Sequence, residues 1–373
     1  MIYLDNSATT RPCRAAIEAA AYAMEEGWGN PSSLHRLGIA AARLLREARG
    51  SVAQALGADA DRVFFTSGGT EADNWAIFSS AARMAKRGRH IVTTAIEHHA
   101  VLNCMKRLEA QGFSVTYLQP DVQGRITVEQ LRDALQKDTI LVSVMMVNNE
   151  VGSVLPIEKM ARLTHRLCPD ALFHTDAVQG FFKLPFRAKS LDVDLLSVSG
   201  HKIHAPKGVG ALYVRKGLSL PPYLVGGGQE GGERSGTEAI PAIAAFGAAC
   251  RDAYPTLRED LHRETALRDQ LCEQLRAMEG VFLLGAQEAP HIVSLAVPGV
   301  RSQGLINCLQ DREVYVSAGS ACAKGHRSHV LEAMGVPAEQ IDGAIRVSLS
   351  RETTEQDISG FVRALQVAIA SLR

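Results

Sequence analysis

This chain predicts an α/β protein built on a mostly parallel sheet, with a smaller second domain of α+β type. Three observations lead there. Between residues 62 and 214, short apolar runs of strand length alternate with stretches of helical periodicity, as expected of parallel strands covered by helices on both faces. Beyond residue 241 that alternation gives way to a long helical stretch and then to more widely spaced strands. The length of 373 residues allows a large core and exceeds what one core usually holds. The expected division is a large unit over residues 15–250 and a smaller one made of residues 1–14 and 251–373.

Residues 3–14 read as extended, with Asn6-Ser7 and Pro12 as turn signals. Residues 15–26 are Ala-rich and helical. The loop Gly27-Trp28-Gly29-Asn30-Pro31 follows, and Ser33 stands where it can cap a helix running to about residue 56. Strands are expected over residues 62–66, 91–95, 115–118, 140–147, 172–174, 191–198 and 209–214, with helices between them over 71–86, 100–111, 128–136 and 157–167. Pro221-Pro222 and the glycine run from Gly226 to Gly232 exclude regular structure. One long helix is expected from about residue 241 to 278, then strands near 291–296, 314–316 and 345–349.

Composition narrows the function classes. Forty basic and forty acidic residues balance, so no field for nucleic acid or a membrane surface is expected. No apolar run approaches the roughly 20 residues that span a bilayer. The first residues lack the pattern of a signal peptide. Seven cysteines (13, 104, 168, 250, 272, 308 and 322) include no C-x-x-C pair, which argues against disulfides or a zinc ribbon. The expectation is a cytoplasmic protein with no metal.

Ligands of parallel α/β sheets bind beyond the carboxyl ends of the strands, so the residues there carry the chemistry. Thr66-Ser67-Gly68-Gly69-Thr70-Glu71 opens a helix and suits a phosphate, or is a plain helix cap. Glu97-His98-His99 follows the second strand, where a lone histidine is as readily structural. Asn148-Asn149-Glu150 offers two amides for a ligand, or a turn. Asp176-Ala177-Val178-Gln179 places an acid that can hold a protonated ring nitrogen, or cap the next turn. Ser199-Gly200-His201-Lys202 ends an apolar strand on a lysine, which is either a surface residue or a desolvated amine able to form a Schiff base. A phosphate cradle, an acid, a histidine and a lysine on one rim describe a pyridoxal phosphate site.

Ser67 to Asn74, Glu97-His98, Val147 to Gly152, His174 to Gln179, Ser199 to Lys202, Arg234-Ser235-Gly236-Thr237 and Gly319-Ser320-Ala321-Cys322 resemble, in order, the motifs of the cysteine desulfurases. These belong to the class V aminotransferase group of fold type I pyridoxal phosphate enzymes. The resemblance extends from Tyr3-Leu4-Asp5-Asn6-Ser7-Ala8-Thr9-Thr10 to Ile345-Arg346-Val347-Ser348-Leu349. It implies pyridoxal 5'-phosphate as cofactor, with Lys202 binding its aldehyde and later moving the substrate's α-proton. Asp176 is implied to pair with the pyridine nitrogen, Gln179 to bond the ring hydroxyl, and His98 to stack on the ring and assist proton transfer. Gly69, Thr70, Ser199 and His201 are implied to hold the phosphate, and Thr237 to reach the phosphate of a neighbouring subunit in a homodimer. Asn149 and Arg346 are implied to hold the carboxylate of L-cysteine.

Cys322 is implied to be the nucleophile that takes the sulfur as a persulfide, leaving L-alanine. Its setting between Ser317 and Arg327 is rich in small residues, with Lys324, His326 and Arg327 following, which suits a thiol of lowered pKa. The other cysteines lie mostly in helical patterns where core packing explains them. The sulfur is implied to pass to an acceptor protein, an iron–sulfur scaffold or a tRNA-thiolation protein. The segment from Cys322 to Ser328 is shorter than in the housekeeping members that share G-S-A-C, which bears on which acceptor it reaches. Alternative readings are another class V aminotransferase, a β-lyase (selenocysteine lyase included) or a catalytically silent sulfur relay.

Overall fold

The computed structural model describes residues 1–318 and 327–373. Cys322 lies outside the described residues, as do the other members of its Gly319-Ser320-Ala321 motif.

Seven strands form the larger sheet: β2 (Val63–Thr66), β3 (His90–Thr94), β4 (Ser114–Leu118), β5 (Thr139–Ser143), β6 (Leu172–Asp176), β7 (Leu195–Ser199) and β8 (Gly210–Val214), in the order β2-β8-β7-β6-β5-β3-β4. From β7 to β4 every pairing is parallel. β8 runs against both of its neighbours, because the segment joining it to β7 holds only a 3-10 turn and is too short for a crossover helix. β3, β5, β6, β7 and β8 are buried along their whole length, which is why they read as apolar runs. Thr175 Oγ1 has no partner among the described residues, but several of their other polar side chains find partners within the sheet. The His90 ring, for example, lies 2.8 Å from Thr139 Oγ1 and 2.9 Å from Thr116 Oγ1.

The second sheet is antiparallel, in the order β12 (Ser317–Ala318), β13 (Ala344–Ser348), β10 (Ile292–Ala296), β9 (Phe282–Leu284). The first strand, β1 (Ile2–Tyr3), pairs in parallel with β11 (Val314–Tyr315). Leu4 is buried in one cluster with Val293, Leu295, Ile345, Val347 and Phe361. Residues after Leu4 then cross to the large sheet. Asn6 Nδ2 donates to the Ser348 carbonyl at 2.9 Å, Ser7 N to Ser348 Oγ at 2.9 Å, and Thr10 N to the His201 carbonyl at 2.8 Å. The N-terminal segment therefore ties the small sheet to the corner that carries Lys202.

Several expectations need correction. The long helix is two, Ile240–Ala253 and Leu257–Arg276; Pro255 lies between them and lacks the N–H that continuity requires. The strand expected to reach residue 147 stops at Ser143, and Val147 instead bridges Val154 across the intervening loop. The strand expected from residue 191 begins at Leu195, because Asp192 turns the chain at φ 58°. His35, not Ser33, caps the helix Arg36–Leu56, its Nδ1 accepting from Gly38 N at 3.4 Å. The glycine run contains one 3-10 turn, Glu230–Gly232. That turn is pinned by the buried Glu230 carboxylate, which accepts from Arg49 Nη2 at 2.6 Å and Phe65 N at 2.8 Å. β9 and β12 had no sequence signal at their short lengths.

One close approach shapes the rim. A Cβ on Gly210 would lie 2.6 Å from the Val198 carbonyl oxygen and 2.8 Å from Gly68 Cα, all backbone atoms with no room to yield. Gly50, exposed within its helix, has nothing within 4 Å of that position. Gly210→Ala is therefore expected to cost about 1–3 kcal/mol of stability through overpacking. Gly50→Ala should add roughly 0.5–1 kcal/mol by helix propensity. Denaturant unfolding of the two variants checks this, and equal effects would refute it.

Candidate active site

The carboxyl ends of the central strands open into a cavity of about 290 Å³. β6 delivers Asp176 as its last residue, and β7 ends at Ser199 and turns at once through Gly200–Lys202. His201 and Lys202 thus reach the rim that Ser199 already lines. Lys202 donates to the backbone carbonyls of Ser7 at 2.6 Å and Ala8 at 2.8 Å. Burial lowers its pKa to about 8, helped by the Arg346 guanidinium and opposed by Asp176 and Asp5. A minor but appreciable fraction of the amine is then neutral, and so nucleophilic, near physiological pH.

Asp176 Oδ1 accepts from Val178 N at 2.9 Å. Burial raises its pKa, while that hydrogen bond and Lys202 oppose the rise. Asp73 lines the same cavity and is fully enclosed; burial, then the field of Asp176, pushes it well above the carboxylate range. Two carboxyl groups so placed do not both ionise cheaply. Val178 N and Lys202 favour charge on Asp176, so Asp73 keeps the proton. The approach of His174 Nε2 to Asp73 Oδ1, at 3.6 Å, is accordingly not an ion pair. Burial takes His174 down to about 3, and its ring is bonded to Ser143 Oγ at 2.8 Å and Ser197 Oγ at 3.0 Å.

His98 caps the helix His99–Glu109, its Nδ1 accepting from Ala100 N at 3.1 Å. That contact assigns the proton to Nε2. His98 lines the cavity and keeps solvent exposure there. Desolvation and then Lys202 lower its pKa to about 4, so it is neutral. The helix Gly69–Met84 starts on the cavity wall with no side-chain cap, leaving first-turn N–H groups free. Gly68 enters it at φ 155° and ψ −176°, a conformation open essentially to glycine. Thr70, Ser199 and His201 surround that end, and His201 Nδ1 lies 3.2 Å from Thr9 Oγ1.

Arg346 comes from β13 in the other sheet. It donates to the Asn149 carbonyl at 2.7 Å and to Asp5 Oδ1 at 3.1 Å. Asn149 lines the cavity. Asn148 does not: its amide donates to the Ile96 carbonyl at 2.9 Å and its oxygen accepts from Glu150 N and Val151 N, so it is a structural residue. Gln179 lines the cavity and donates to the Ser7 carbonyl at 3.0 Å. Thr237 is exposed and outside the cavity lining. The sequence reading missed the Ser7 and Ala8 carbonyls, which act whatever the side chain, and Asp73. The one signal for Asp73 was its place one helical turn after Thr70.

An amine of lowered basicity, an open helix N-terminus and a buried carboxylate fit pyridoxal phosphate. Among the described residues no group of three or more His, Cys, Asp or Glu is placed to hold a metal.

Comparison with known proteins agrees with this geometry. The family model for class V aminotransferases matches residues 2–361. A protein named cysteine desulfurase IscS from Methanosarcina thermophila is 41% identical over 376 residues, covering 100% of this chain and 93% of that protein. A cysteine desulfurase from Nostoc sp. is 40% identical, covering 100% of this chain and 94% of its own. Among solved structures, a NifS-like protein superposes with TM-score 0.94 at 39% identity over 100% of both chains. A structure titled SspA in complex with cysteine gives TM-score 0.81 at 32% identity, covering 95% of this chain and 100% of that one.

The electrostatics make a measurable prediction. Addition of an aldehyde reagent to Lys202, followed by absorbance, should accelerate through a midpoint near pH 8. Arg346→Met removes a neighbouring cation and should move that midpoint upward; a downward shift would contradict the assignment.

Proposed function

The chain belongs to the class V aminotransferase family and is a pyridoxal-phosphate-dependent cysteine desulfurase, and from that premise we propose that it converts L-cysteine to L-alanine and takes the sulfur onto Cys322 as a persulfide. The observation that carries the reading is Lys202, an amine lowered to about pH 8 in one cavity with Asp176, His98, Gly69, Thr70 and Arg346.

When bound, pyridoxal phosphate supplies an aldehyde that takes an amine covalently and a ring that accepts electrons. In this reading the Gly69–Thr70 helix end, Ser199 and His201 hold its phosphate. Asp176 keeps a proton on the ring nitrogen, Gln179 donates to the ring oxygen, and neutral His98 flanks the ring with Nε2–H. Arg346 and Asn149 orient the substrate carboxylate, a planar guanidinium being suited to that task. Lys202, released from the Ser7 and Ala8 carbonyls, takes the α-proton. Cys322 Sγ, as thiolate, then bonds to the substrate sulfur while the substrate's Cβ–S bond breaks with its electron pair left on carbon. A proton delivered to that carbon, and return of a proton from Lys202 to the α-carbon, complete alanine, and no external oxidant or reductant is needed.

In the same reading residues 15–250 form the cofactor unit, and 1–14 with 251–373 the unit bearing Cys322. A cytoplasmic homodimer is proposed, with Thr237 of each copy reaching the other's phosphate. Leu34 is 94%, Val225 88% and Trp28 66% exposed, apolar side chains that a second copy would cover. The sulfur acceptor is proposed to be an iron–sulfur scaffold or a tRNA-thiolation protein.

Incubation with L-cysteine should add one sulfur to Cys322 by intact mass and release alanine. Cys322→Ser should lose both by at least about a hundredfold, and Lys202→Ala should also lose the cofactor's visible band. Undiminished alanine from Cys322→Ser would refute the persulfide mechanism. Sedimentation is expected to show a dimer, and a fully active monomer would refute the shared site.

A further inference from the structure

His291 lies outside the cavity lining and reaches Gln179 from behind. It is buried, immediately before β10 in the small sheet, and its Nε2 lies 3.2 Å from Gln179 Oε1. The other end of the same amide donates to the Ser7 carbonyl at 3.0 Å. Together these contacts determine which way round the amide sits. A backbone carbonyl can only accept, so the Gln179 nitrogen must face Ser7. Its oxygen is then left toward His291, which must donate from Nε2. A neutral ring that donates there carries a bare lone pair at Nδ1, and Nδ1 has no partner among the described residues. Neutrality follows from the surroundings: burial, then the nearby cations Lys183, Arg346 and Lys202, hold the ring well below its ordinary pKa.

We propose that His291 is a positioning residue: by donating to Gln179 Oε1 it locks the amide so that the second N–H of Gln179 points into the cavity, where the cofactor's ring oxygen would accept it. The inference rests on the reading of Gln179 given above and deepens it. Without the histidine, nothing but the Ser7 carbonyl opposes an amide flip, and a flipped Gln179 presents oxygen to oxygen. The donor is on the large sheet and its lock on the small one. The two sheets must therefore be in register for the ring oxygen to be stabilised.

The test uses the holoenzyme and four variants: His291→Leu, His291→Gln, Gln179→Ala and the His291→Leu/Gln179→Ala pair. Two quantities are read, the pH midpoint of the cofactor's visible band and the cofactor dissociation constant, with thermal melting of each variant as a check on folding. His291→Leu should weaken cofactor retention about fivefold, the worth of one hydrogen bond. It should also move the midpoint upward, because a ring oxygen that has lost its donor holds a shared proton more tightly. His291→Gln carries an N–H that reaches the Nε2 position and should restore both quantities. The double variant should be no worse than Gln179→Ala. Three results overturn the inference: a His291→Leu protein indistinguishable from the parent, equal losses in Leu and Gln variants (a packing role), or additive losses in the double variant. If Gln179→Ala alone changes neither quantity, the reading of Gln179 fails and the inference falls with it. A silent His291→Leu beside an impaired Gln179→Ala refutes the lock alone.

Discussion

An amine is held at the end of a buried strand by two backbone carbonyls rather than by a carboxylate, and the rest of the site depends on that choice. A carboxylate partner would raise the basicity of Lys202 strongly and keep it charged; the Ser7 and Ala8 carbonyls, dipoles with no formal charge, hold it at 2.6 and 2.8 Å and favour the ammonium far less. The carbonyls must come from outside the large sheet, and they do. Residues 6–10 run from Ser348 in β13 to His201 beside Lys202. The Ser7 carbonyl also receives Gln179. One peptide oxygen thus places both the nucleophilic amine and the amide beside it.

The same economy of charge runs through the surrounding shell. His98, His174 and His201 are all depressed into neutrality by burial. Glu97, pushed up to about 8 by burial, accepts from Thr94 Oγ1 at 2.7 Å and Met145 N at 2.9 Å. Asp73 shares the floor with Asp176 and keeps its proton. Around the cavity the chain leaves formal charge chiefly on Lys202, Asp176 and Arg346, the last tied to Asp5 at 3.1 Å. In a medium of low dielectric, so few uncompensated charges act strongly on whatever enters.

Much of this was legible in the residues themselves. Strand ends are where a parallel sheet binds ligands, so Asp176, His201 and Lys202 could be read from their place after apolar runs. Gly69-Thr70 could be read from a glycine turn opening a helix. Asn148 and Asn149 look alike in sequence, however, and only tertiary contacts separate Asn148, whose amide is spent on the backbone, from Asn149, which lines the cavity. The helix expected across residues 241–278 breaks at Pro255 because periodicity continues on either side of a residue that cannot donate. His291 carried no signal, since its meaning lies in a contact 112 residues away along the chain.

The sequence by itself determined the alternation of strands and helices and the residue types at each strand mouth, because those follow from local periodicity and chain direction. Tertiary structure decided which of them act together. It brought Ser7 and Ala8 from the N-terminal segment and Arg346 from a second sheet onto the Lys202 corner. It also divided protonation between Asp73 and Asp176, and oriented the Gln179 amide against His291. Each of these depends on distance and desolvation between segments far apart in the chain, quantities that no local pattern encodes.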